Sequence, residues 1–201
     1  MVVEAGIDAV GFIVEVPQSH RNLSMDAAKA LIDATPVFVE TVVVTVPENL
    51  TSLEKICSVL NPNALQIHGL SGLGREIQER FHDRRLIGAI QCKTKLEINT
   101  LVDAADAFDA ILLDSYDPTK HGGTGKTHDW EFSKRVREAI SKPLILAGGL
   151  RPDNVGAAIK MVKPYAVDVS SGVEAYPGIK DRSKVLQFLE NVKENETYET
   201  E

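Results

Sequence analysis

Chemistry in this sequence gathers where apolar runs stop. LILA is followed by Gly148 and Gly149, and AVDV by Ser170, Ser171 and Gly172. Glycines in such places can simply end a strand. They also leave successive backbone N–H groups open to a phosphate, because no Cβ blocks its approach. AILLD ends on Asp114, whose carboxylate could serve as a general acid or base, or could cap a helix or join a salt bridge. NALQIH ends on His68, which could touch a substrate or bond within its own turn. Arg21, in PQSHRNLS, is either a solvated charge or a fork for a carboxylate.

Other chemistries are poorly supported. The segment His121–Thr127 (HGGTGKT) imitates a nucleotide P-loop, but Lys120 stands where that motif needs its first glycine. A GxGxxG reading fails as well, at His128. The segment reads better as a long glycine-rich loop that covers an active site. The histidines at 20, 68, 82, 121 and 128 show no metal-ligand spacing, and no metal is expected. Cys57 falls in a helical apolar stripe and Cys92 just past a strand, so two cysteines make neither a disulfide framework nor a zinc site.

The elements that must position these residues alternate regularly. Apolar, β-branched runs mark strands at 8–14, 37–46, 63–67, 86–91, 110–114, 144–147 and 166–170. They are near-continuous rather than alternating, as in parallel strands buried on both faces. Between them, Ser24 opens a helix at MDAAKALIDA, Thr51 or Ser52 opens LEKICSVL, Asp153 opens NVGAAIKMV, and Asp181 opens RSKVLQFLENV. Weaker helices are expected near 73–82, 96–105 and 129–140. Seven strand starts recurring every 22 to 34 residues predict one α/β domain over 1–192, with an acidic, fraying tail at 193–201. Seven units favour a TIM (β/α)8-type barrel over an open doubly wound sheet. In a barrel, Gly148–Gly149 and Ser171–Gly172 occupy the loops after the last two strands, where barrel enzymes hold phosphate. Asp114 and His68 then stand at the barrel's mouth.

The barrel count falls one short. VVEAG reads as the last turn of a helix with Gly6 at its C-cap, which implies a preceding helix and strand of about 20 residues. The first βα unit is therefore expected to be largely missing, and strands 8–14 and 166–170 to carry open edges that invite homo-oligomerisation.

Composition bounds the partners. The 201 residues are 43% hydrophobic and 25% charged, a globular balance that excludes a disordered chain. A net charge of −7 argues against nucleic-acid or anionic-membrane binding. No apolar run reaches about 18 residues, and the N-terminus lacks a secretory pattern, so a cytoplasmic protein is expected.

In order, GIDAVGFI, SHRNLS, LQIHG, ILLDS, GGTGKTHDW, LAGGLRPDNV, VDVSSGVE and PGIKD resemble the phosphoribosylanthranilate isomerase family, across nearly the whole chain. The resemblance implies a cofactor-free Amadori rearrangement of a small phosphorylated aminoaldose in tryptophan biosynthesis. Asp114 would be the general acid, and Arg21 would pair with the anthranilate carboxylate. His68 would line the mouth, and Gly123 and Gly125 would let the covering loop close. Gly148, Gly149, Ser171 and Gly172 would bound the phosphate site, with Asp168 organising that end. The family's general base is a cysteine in a first-strand KICG motif, which this sequence does not contain; Cys57 is not its counterpart, and Cys92 ends a different strand from which it could reach the mouth. Two alternatives are another phosphosugar-binding barrel enzyme and a non-catalytic phosphosugar-binding protein.

Overall fold

The structure, a computed structural model, describes residues 1–69, 74–92, 98–115 and 129–195. Seven parallel strands lie side by side in chain order: β1 (Ala9–Ile13), β2 (Glu40–Thr45), β3 (Ala64–Ile67), β4 (Arg85–Cys92), β5 (Ala110–Ser115), β6 (Leu144–Leu146) and β7 (Ala166–Val167). Helices connect them: α1 (Met25–Asp33), α2 (Leu50–Leu60), α3 (Gly74–Arg80), α4 (Ile98–Ala105), α5 (Trp130–Ala139) and α6 (Val155–Val162), with α7 (Arg182–Lys193) after β7. All seven expected strands are present. Among the described residues β1 pairs only with β2 and β7 only with β6, so both expected edges exist. The N-terminal turn Val3–Ala5 is a 3₁₀ turn closed by Gly6 at φ +91°, and it packs against α7.

The strand side chains divide cleanly between two faces. Phe12, Val43, Leu65, Ile67, Ile111, Leu113, Leu144 and Leu146 form the main core with buried helix residues such as Leu53, Ile56, Val136 and Ala158. Ala89, Leu112 and Ala147, with Ile87 and Ile145, form a small separate cluster on the opposite face. Alternation along each strand therefore places Gln66, Gln91 and Asp114 on the inner face. Gly88 lets Phe108 press onto the outer face of β4; a Cβ there would come within 2.7 Å of the ring.

Local sequence sets the helix ends. The Ser24 hydroxyl accepts from Ala27 N–H at 3.2 Å, and Asp181 accepts from Ser183 and Lys184 N–H at 2.9 and 3.1 Å. Both were expected. Two other caps differ from expectation. Asn49, not Thr51 or Ser52, caps α2 by accepting from Ser52 N–H at 3.0 Å. Asn154 precedes α6, while Asp153 instead accepts from Arg151 Nε at 3.0 Å. The strand expected from 37 begins only at Glu40: Val39 N–H bonds to Pro36 O, and Val37 and Phe38 stand 89% and 94% exposed. The strand expected to reach 170 regularly pairs only Ala166 and Val167. Residue 193 is still helical, and Asn195 Nδ2 donates to Asn191 O at 2.7 Å.

Beyond β7 the chain makes a 3₁₀ turn (Ser171–Val173) and a small antiparallel hairpin, β8 (Glu174–Tyr176) and β9 (Ile179–Lys180), which the sequence reading did not include. Pro177 and Gly178 form its tip, with Gly178 at φ +84°, where proline fixes one turn position and glycine supplies the positive φ of the next.

Candidate active site

The strand register layers the inner face. Gln91 is opposite Asp114. Ala147 N–H donates to Leu113 O at 2.8 Å, and Asp168 N–H to Leu146 O at 2.9 Å, carrying the same level across β6 to the residue after β7. Gln91, Asp114, Ala147 and Asp168 thus form one row along the C-terminal ends of four neighbouring strands. Asp114 and Asp168 flank the small Ala147, two strand spacings or about 10 Å apart. His68 lies one layer lower, level with Ala89 and Leu112, since Gln66 is opposite Ile87.

Electrostatics distinguish these groups. The Gln66 amide nitrogen is 3.1 Å from His68 Nε2. An amide nitrogen can only donate, so with the Gln66 amide in this orientation Nε2 accepts and the ring proton is on Nδ1. Burial holds the His68 imidazole down to about 4, so the ring is neutral near pH 7. Asp168 is surrounded by protein while its own surface stays open to the mouth. That surrounding mass pushes its carboxyl up, and Lys180 opposes the push. Asp114 is half-buried.

The two glycine turns meet. Gly148 and Gly149 follow β6 at φ +81° and +67°, a conformation that glycine reaches without strain. Asn154 braces this turn: its amide donates to Gly149 O at 3.0 Å and its carbonyl accepts from Arg151 N–H at 2.7 Å. Gly172, in the turn after β7, lies directly against Leu150. A Cβ there would overlap the Leu150 carbonyl oxygen and stand 2.9 Å from its carbon. Gly172 thus brings the turn after β7 against the chain just beyond Gly148 and Gly149. Gly123 and Gly125 lie outside the described residues.

The sequence reading missed a charged cluster at the rim. Arg21 Nε and Nη2 donate to the two carboxylate oxygens of Glu174 at 2.7 and 2.6 Å. Lys180, opposite Glu174 in the hairpin, donates to Oε1 at 3.2 Å and to the Ser170 carbonyl at 2.8 Å. Lys184 Nζ donates to the Glu174 carbonyl at 2.7 Å. Burial alone would raise the Glu174 carboxyl, but the Arg21 hydrogen bonds and Lys180 outweigh it and hold it at about 2. The signals were present in the VSSGVE and PGIKD segments, but no local pattern joins them to Arg21. Cys57 is half-buried against the main core, and burial pushes its thiol up. Among the described residues, no group of three or more His, Cys, Asp or Glu is placed to hold a metal, and no helix is long and apolar enough to cross a membrane.

The family model for N-(5′-phosphoribosyl)anthranilate (PRA) isomerase matches residues 1–191. The chain belongs to the phosphoribosylanthranilate isomerase family. It is 42% identical to N-(5′-phosphoribosyl)anthranilate isomerase of Methanothrix thermoacetophila over 191 residues, 94% of this chain and 89% of the relative. Among solved structures, phosphoribosyl anthranilate isomerase from Thermotoga maritima superposes with a TM-score of 0.85 at 37% identity, covering 96% and 91% of the two chains. Phosphoribosyl anthranilate isomerase in complex with reduced 1-(o-carboxyphenylamino)-1-deoxyribulose 5-phosphate gives a TM-score of 0.80 at 36% identity with the same coverage. The seven strands are accordingly those of a TIM-barrel isomerase, and the C-terminal ends of those strands are where such barrels do their chemistry.

Proposed function

We propose that these residues build the substrate mouth and supply the general acid of an isomerase that converts N-(5-phosphoribosyl)anthranilate to 1-(2-carboxyphenylamino)-1-deoxyribulose 5-phosphate in tryptophan biosynthesis. One observation carries the reading: Asp114 shares an inner face with a glycine surface that joins the turns after β6 and β7 at Gly172.

The phosphate rests on Gly148, Gly149, Ser171 and Gly172, with Asp168 and Lys180 at its margin. Arg21 takes the aryl carboxylate, and His68 touches the substrate as a neutral donor through Nδ1. Asp114 gives a proton to the furanose ring oxygen. The C1–O bond breaks as the nitrogen lone pair forms a C1=N Schiff base. A base then removes the C2 proton, and that electron pair forms the C1=C2 enolamine as the C=N electrons return to nitrogen. The C2 hydroxyl loses its proton while C1 gains one, leaving the ketone at C2. The resemblance assigns the base to a cysteine in a KICG strand, a motif not found among these 201 residues. This mouth supplies binding and the acid. No cofactor enters these steps. The reaction is placed in the cytoplasm, and the edges of β1 and β7 are a route to homo-oligomers, which size-exclusion chromatography would reveal.

The test follows the loss of the substrate's anthranilate fluorescence, with this chain alone and with the chain extended by a first-strand segment. Turnover by the extended chain that falls about 100- to 10,000-fold in Asp114→Asn supports the reading, because general acids contribute on that scale. Full turnover by Asp114→Asn sinks it. Tight binding of the reduced product with no turnover in either form supports a phosphosugar-binding protein instead.

A further inference from the structure

Arg21 and Glu174 are 153 positions apart in sequence, yet their side chains are only 16% and 6% exposed and share two hydrogen bonds. The geometry of that pair is specific. Glu174 occupies the side of the guanidinium formed by Nε and Nη2. Nη1 has no partner among the described residues. The edge formed by Nη1 and the second Nη2 hydrogen therefore stays available to accept a second planar anion. Lys180 holds Glu174 from the other strand of the hairpin and also grips the Ser170 carbonyl, beside Ser171 and Gly172.

We propose that Glu174 is a positioning residue: it fixes the Arg21 guanidinium so that its outer edge meets the aryl carboxylate, at a set distance from the phosphate turn. This rests on the reading of Arg21 and the phosphate surface given above. Glu174 thereby makes the site selective for a substrate with an anion at each end. The sign of the effect separates this role from a bystander charge. A negative group beside an anion site weakens anion binding by simple repulsion, so removing it would tighten binding. Removing a group that aims the arginine weakens it.

The test titrates two probes calorimetrically. One is reduced 1-(o-carboxyphenylamino)-1-deoxyribulose 5-phosphate, and the other is its phenylamino counterpart without the carboxylate. Wild type should bind the first more tightly. Glu174→Gln should weaken the first by about 10- to 100-fold, the scale of a misaligned charge-assisted pair, and leave the second unchanged. Glu174→Asp, which keeps the charge but shortens the reach, should lose part of the discrimination. Should Glu174→Gln not fold, Glu174→Asp and Arg21→Lys carry the comparison. Adding Glu174→Gln to Arg21→Lys should cost nothing further, since Glu174 acts through the fork that lysine lacks.

Unchanged or tighter binding of the carboxylate probe by Glu174→Gln would overturn the role. So would equal weakening of both probes, which marks a merely structural residue. Equal affinity of wild type for both probes removes Arg21 as the carboxylate site, and the role with it. Binding of neither probe by wild type instead defeats the isomerase reading itself.

Discussion

Replacing Gly172 with alanine should separate the turns after β6 and β7, the two proposed to hold the phosphate. The added Cβ would overlap the Leu150 carbonyl oxygen, stand 2.9 Å from the carbonyl carbon and 3.1 Å from Arg151 Cγ. Carbon atoms in contact prefer about 3.5–4.0 Å and the carbonyl oxygen lies nearer still, so the turns must part by more than about 1 Å. Both obstacles at the carbonyl are backbone, so no side-chain rotation relieves them. Such overpacking costs about 1–3 kcal/mol, which in a chain of this size lowers the melting midpoint by about 2–12 °C. The larger effect should be on binding, because a 1 Å misplacement can cost about 100-fold in function. Calorimetric titration with ribulose 5-phosphate measures the phosphate site without the aryl end. A thermal melt on the same sample separates misplacement from unfolding. Unchanged affinity with an unchanged midpoint would refute the claim that Gly172 joins the turns by close approach.

Two further outcomes are expected. In a proton–nitrogen NMR titration, His68 should be an Nδ1–H tautomer at pH 7 and titrate near 4, because burial opposes its protonation. Its native value lies below the ordinary 6.5, so folding stability from this group is lost as pH falls from 6.5 toward about 4; a midpoint near 6.5 would contradict its burial. Asn49→Ala should remove the α2 cap and lower stability by about 0.5–2 kcal/mol in thermal melts, whereas Thr51→Ala should leave that cap intact.

The strands were legible because parallel strands covered on both sides need apolar residues at nearly every position, and no helical period competes with that pattern. VFVET shows where this fails: Val37 and Phe38 look like strand but lie in a turn before β2, with their side chains in solvent. Helix starts were ambiguous where several capping residues are adjacent. NLTS offers three candidates, and DN offers two, and only tertiary bonding chooses: Arg151 draws Asp153 away while Asn154 braces Gly149. Asp114, His68 and the glycine turns could be found because they interrupt apolar runs at one end of the strands. Glu174 could not, since its meaning depends on Arg21, which approaches from the opposite end of the chain. The hairpin that presents it is two and three residues per strand, too short for any period to register.

On the proposed reading, the seven strands gather both anion contacts into one mouth. Calorimetric titration of this 201-residue chain with reduced 1-(o-carboxyphenylamino)-1-deoxyribulose 5-phosphate tests it most directly. Saturable one-to-one binding that inorganic phosphate displaces is expected. Absence of binding by the folded chain, or binding indifferent to phosphate, would contradict it.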